Sequence, residues 1–202
     1  MKNHDRSEAP KEEPKKRGVG VFRLLITTII ALIIAIIYGF FASGQLKAEE
    51  IISGSMEPTI QIGDRVIMSS VFQGEPKRGD VVIFEPEEAN ELPMIKRVVG
   101  VSGDLIHVLN NKVYVNPPTE KLPIDAGFFE PVALKYILKV PENHFYVLGD
   151  NRLSSYDSFF FGPIHKDRII GKALYIYYPY KHMKNLGNEA EVEGVMKQYT
   201  LE

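Results

Sequence analysis

The chain has 202 residues, 45% of them hydrophobic and 25% charged, with a formal net charge of −2. That length and apolar content allow one core-forming domain plus extensions, and the charge does not favour a nucleic-acid partner. There is no cysteine, which excludes disulfides, thiol nucleophiles and thiolate metal sites.

In chain order, residues 1–18 are polar, charged and contain proline, the composition of a disordered tail. Leu24 to Phe41 (LLITTIIALIIAIIYGFF) then carries no charge over 18 residues. This approaches the length that crosses a hydrocarbon core as a helix, the form in which a single segment satisfies its backbone in lipid. The run exceeds the 7–15 apolar residues of a cleavable leader. The small residues after Phe41 would suit cleavage, but an uncleaved anchor over 19–43 is the reading adopted. Lys15, Lys16, Arg17 and Arg23 precede the span, whereas Lys47, Glu49 and Glu50 follow it. Basic flanks stay inside, which predicts a cytoplasmic N-terminus and an extracytoplasmic remainder.

Residues 44–187 read as mainly β. Candidate strands are 64–68, 80–84, 93–101, 105–109, 112–116, 144–148 and 169–178, each rich in β-branched or aromatic residues and bounded by Gly, Pro, Asn or Asp. Asn110-Asn111 suits a hairpin turn between two of them. The segment 117–131 is rich in proline and reads as a loop. Many short strands with turn punctuation predict an antiparallel β-sandwich or barrel-like domain. Residues 188–202 form a C-terminal tail whose conformation the pattern leaves open.

Three stretches carry chemistry. SGSMEPTI (53–60) places small hydroxyl residues and a glycine just after the span. Serine needs a base to act as a nucleophile. Of the five histidines, His4 lies in the N-terminal tail, and His107, His144, His165 and His182 have no triad context. No pair of them has metal-site spacing. Lys96 lies in an apolar strand beside Arg97, and strand alternation sends these two side chains to opposite faces. One explanation is an edge-strand lysine that blocks unwanted pairing. The other is a base: an ordinary lysine is neutral about once in 2,500 at pH 7, and burial lowers its pKa into a usable range. A neutral lysine beside a serine makes a Ser-Lys dyad. The third stretch, GDNRLSSYDS (149–158), runs directly into Phe159-Phe160-Phe161. Polar residues joined to three aromatics predict a partly buried network whose members must all be hydrogen-bonded.

Taken in order, SGSMEPTI, GDVVIF (79–84), IKRVVGVSGD (95–104) and GDNRLSSYDS resemble the four sequence boxes of bacterial type I signal peptidases, serine endopeptidases that remove signal peptides from secreted preproteins. The ordered set, behind an N-terminal span, covers most of the outer domain. The resemblance implies Ser55 as nucleophile and Lys96 as general base. It implies that the Ser53 hydroxyl and the Ser55 N–H stabilise the oxyanion, that Ser155 orients the lysine, that Asp157 supports it, and that Met56 shapes the substrate contact. The family's last box continues with an arginine where this chain has Phe159, which leaves Asp157 in need of another partner; Arg152 is the candidate. The endoplasmic-reticulum type carries histidine where Lys96 stands, so the chain resembles the bacterial type. Implied further are a single-pass cell-membrane protein acting as a monomer without a cofactor, and substrates with small residues at −1 and −3. Two alternatives are a membrane-tethered scaffold of the same fold with altered catalysis, and the self-cleaving repressors. The repressors share a Ser-Lys dyad but carry a DNA-binding domain where this chain has its span.

Overall fold

A computed structural model describes residues 17–71, 74–87, 92–109, 112–116, 136–187, 193–194 and 196–199. The predicted Asn110-Asn111 turn and the 117–131 loop lie outside them. Two compact units divide the chain between Ala42 and Ser43.

The first unit contains helix α1 (Arg17–Ala42). Its apolar side chains are exposed throughout, and Gly20–Ala42 is long and apolar enough to cross a membrane. Thr27 and Thr28 are the polar side chains in its middle. Both hydroxyls donate to carbonyls three or four residues back, so neither is left unsatisfied in an apolar setting. The chain leaves the helix through Gly44 at φ 72°, a conformation glycine adopts without a Cβ penalty.

The second unit is mainly β, as the sequence predicts. Its strands are β1 (Leu46–Glu50), β2 (Arg65–Ser69), β3 (Val81–Phe84), β4 (Met94–Gly100), β5 (Leu105–Leu109), β6 (Lys112–Val115), β7 (Tyr136–Lys139), β8 (His144–Leu148), β9 (Ile164–His165), β10 (Ile169–Tyr178) and β11 (Lys184–Asn185). Of these, β1, β7, β9 and β11 were not anticipated. β1 reads LKAEE, and its burial is low along its whole length, so it offers no apolar alternation to detect. The large sheet runs β1-β2-β10-β3-β4-β8-β9, with β11 added to β10; β6-β5-β7 form a second sheet. Every pairing is antiparallel. Register shifts interrupt β10 against both β2 and β3, and β4 against β8. Such bulges increase local twist and curl a sheet.

Three clusters fill the interior. Met56, Ile60, Met68 and Ile176 belong to one beneath the serine turn. Val99, Tyr146 and Leu148 belong to a second, between the sheets. Phe84, Val98 and Phe145 belong to a third. Burying each such side chain contributes about 1.5–3 kcal/mol. β4 lies between β3 and β8. The edge-strand explanation of its lysine therefore does not hold, and Lys96 and Arg97 are both buried, at 4% and 2% exposure.

Candidate active site

Ser55 sits in a tight turn between β1 and β2. Glu57 N–H donates to the Gly54 carbonyl and Ile60 N–H to the Met56 carbonyl, which winds residues 54–60 into a compact loop. Ile60 is wholly buried and pins the loop to the core. Below it, Ile51 N–H bonds the Asp64 carbonyl, and the Asp64 carboxylate takes Gln61 N–H and faces His182. The turn is fixed at both ends before any side chain acts.

The loop after β8 closes on the turn from behind. Asn151 N–H donates to the Ser55 carbonyl at 3.0 Å, and its side-chain amide donates to the Gly54 carbonyl at 3.1 Å. Gly149 makes this approach possible. A Cβ there would lie 2.5 Å from the Ser55 carbonyl oxygen and 2.3 Å from Ser155 Oγ.

Lys96 reaches the site from β4, where it stands opposite Val82 of β3. Its Nζ lies 2.7 Å from Ser55 Oγ, and Ser53 Oγ lies 3.5 Å from the same oxygen. Burial lowers the Lys96 amine from 10.5 to about 8; Asp157 pulls it back upward, and Arg152 pushes it down. About one such amine in ten is unprotonated at pH 7, some 250 times the ordinary fraction. The serine and the lysine open onto a cleft of about 560 Å³, with Ile51, Val66, Met68, Ile83, Ile95 and Ile170 among its lining residues. The lining includes no histidine.

Behind the pair stands a charged network. Asp157 is fully buried and accepts from Gly149 N–H, Phe159 N–H and the Arg152 guanidinium. Arg152 thus takes the place opposite Asp157 that the substitution of Phe159 leaves vacant. Arg97, on the other face of β4, makes a bidentate pair with Asp150 at 2.9 and 2.7 Å and donates to the Gly79 carbonyl.

Two expected roles look different in the folded chain. Ser155 does not bond the Lys96 amine: its Oγ is buried against Gly149 and has no hydrogen-bond partner among the described residues. Met56 does not line the cleft. The turn rotates it inward, and it is fully buried in the core under the site. Sequence reasoning missed Tyr156, which lines the cleft and stacks on Phe160. Its position between two recognisable serines was the available signal.

A hydroxyl held against a desolvated amine, at the floor of an apolar cleft and without a histidine, is equipped for acyl transfer through a serine ester. Residues 21–178 match the family described as signal peptidase, peptidase S26, and the chain belongs to that family. It is 36% identical to "Probable signal peptidase I-2" of Synechocystis sp., across 84% of this chain and 78% of that one. It is 35% identical to signal peptidase I of Leptolyngbya laminosa, across 70% of this chain and 73% of that one. With signal peptidase I T of Bacillus subtilis the identity is 31%, across 76% and 86%.

Proposed function

We propose that this protein is a membrane-anchored serine endopeptidase that removes signal peptides from secretory preproteins, with Ser55 as nucleophile and Lys96 as its base. The observation that carries the reading is the 2.7 Å approach of a buried amine to the serine hydroxyl. The neutral Lys96 amine accepts the Ser55 proton as Oγ attacks the carbonyl carbon of the residue before the cut. The carbonyl π pair moves onto oxygen, and Ser53 O–H and Ser55 N–H donate to that oxyanion. Loss of one such donor typically costs about 3–4 kcal/mol of transition-state stabilisation. The tetrahedral adduct collapses, the C–N bond breaks, and the Lys96 ammonium gives its proton to the departing amine. Water, deprotonated by the same lysine, then hydrolyses the ester and frees Ser55. No metal or organic cofactor enters this cycle.

Specificity follows from the cleft. Its aliphatic lining near Ser55 suits small side chains at −1 and −3. Among the described residues β1 ends the large sheet, so its outer edge can pair with an extended substrate, which adds backbone bonds without demanding particular side chains. The basic N-terminal flank puts residues 1–18 in the cytoplasm and the β unit on the outer face of the cell membrane. The protein acts as a monomer.

The test is processing of a purified preprotein by the full chain in detergent or vesicles. The parent releases signal peptide; Ser55→Ala and Lys96→Ala each stop release while circular dichroism stays unchanged. Retained processing by the lysine variant rejects the dyad. Protease accessibility of each end in intact cells checks the orientation.

A further inference from the structure

The C-terminal segment takes no part in the reaction just described, yet it carries a buried aromatic, Tyr199. The 3₁₀ turn Lys197–Tyr199 packs on β6. Tyr199 is 3% exposed and joins the cluster of Val99, Tyr146 and Leu148, against which Phe159 and Met196 also pack. Its hydroxyl is buried without a hydrogen-bond partner among the described residues. Phe159 follows Asp157 by two residues, and its N–H is one of the three donors to that carboxylate. The cluster that holds Tyr199 therefore also seats the turn that aims Asp157.

The same place is strongly charged. Burial raises the Tyr199 phenol above its ordinary range, and Arg152, Asp150, Arg97 and Asp157 all act on it. Two of these, Asp157 and Arg152, also act on Lys96. One ion pair, with its carboxylate fully buried and its guanidinium partly exposed, thus stands within electrostatic reach of both the phenol and the catalytic amine.

We propose that Tyr199 is a positioning residue for the Ser55–Lys96 pair: its ring seats Phe159 and the Asp157 turn, and so keeps Arg152 closed on the buried Asp157 carboxylate behind the lysine. The proposal rests on the dyad reading above. Loss of the ring has two effects with the same sign. Water enters behind Lys96 and weakens its desolvation, and Arg152 loosens from Asp157, whose charge then acts on the lysine uncompensated. Both favour the ammonium form. The phenol oxygen makes no hydrogen bond among the described residues, so the role is assigned to the ring.

The experiment is the pH profile of kcat/KM for signal-peptide cleavage by the full chain, whose acid limb reports the free enzyme's base. In the parent this limb should fall near pH 8, to which burial lowers Lys96. Tyr199→Ala should move it up by about half a unit or more, a roughly threefold loss at pH 7 that is recovered near pH 10. Tyr199→Phe should retain the parental limb, and Tyr199→Leu should fall between. A merely structural role would lower the melting temperature and leave the limb in place. An unmoved limb in the leucine variant, which conserves apolar bulk if alanine fails to fold, overturns the proposal. So does a loss of equal size at every pH. Full activity of Lys96→Ala, by contrast, rejects the dyad itself.

Discussion

Lys96 and Arg97 are neighbours on one interior strand, both buried, and they are treated in opposite ways. Arg97 meets a carboxylate in fork geometry at 2.9 and 2.7 Å, with a carbonyl taking a third N–H. Lys96 faces a hydroxyl at 2.7 Å, and burial brings its pKa to about 8. A buried cation that meets a carboxylate through two N–H groups and a carbonyl through a third is paired, and ties β4 to the loop after β8. One with a hydroxyl in front of it and a carboxylate only in the background holds its proton less firmly. The two faces of β4 thus separate holding from reacting.

The comparison is broken most severely on the reacting face. Ser55→Ala and Lys96→Ala should each reduce preprotein cleavage at least about a thousandfold, with the double variant no worse than either single one, as expected of groups that act as a unit. On the holding face, Arg97→Met or Asp150→Asn should cost about 3–5 kcal/mol in denaturant unfolding, because each leaves one buried charge without its partner. Replacing both by apolar residues should recover much of that loss.

Lys96→Met sharpens the contrast from the other direction. Below about pH 8 both folded and unfolded chains hold the lysine proton, and the folded chain bears the full cost of burying it. Between about 8 and 10.5 the unfolded chain holds the proton that the folded one has released, so the parent gains stability as pH rises. The methionine variant should therefore be more stable than the parent by about 3 kcal/mol at neutral pH, with the advantage fading towards pH 10. Melting curves across that range decide it. Gly149→Ala should cost about 1–3 kcal/mol and slow cleavage, since the added methyl meets both the Ser55 carbonyl and Ser155. The smallest effect is expected from Ser155→Ala. It removes a buried hydroxyl that lacks a partner among the described residues, so stability should barely change, while a rate loss under about tenfold would reveal a bond to Lys96 made once substrate arrives. Parental rates at every pH would remove Ser155 from the mechanism.

The strands that sequence patterning located are those that bury alternate or continuous apolar residues. β5, β8 and β10 match their expected bounds residue for residue. β1 escaped because LKAEE lies along an exposed edge, and β9 and β11 escaped because two residues carry no period. At the site, the resemblance pointed to Ser55 and Lys96, and chain pattern alone pointed only to two odd residue types. It could not tell which way Met56 turns, because that depends on the hydrogen bonds that wind the turn. Nor could it connect Tyr199 to Phe159, which lie 40 positions apart and come to share one cluster only in the folded chain.

Sheet order adds a consequence for timing. Ser55 precedes β2 and Lys96 lies on β4, but in space β10 is inserted between β2 and β3. Until residues 169–178 arrive, no strand joins β2 to β3, and the Ser55 turn is tied to β4 only through the loop after β8, by the bonds of Asn151. The sheet that carries both groups is therefore closed late, once residue 178 has been made.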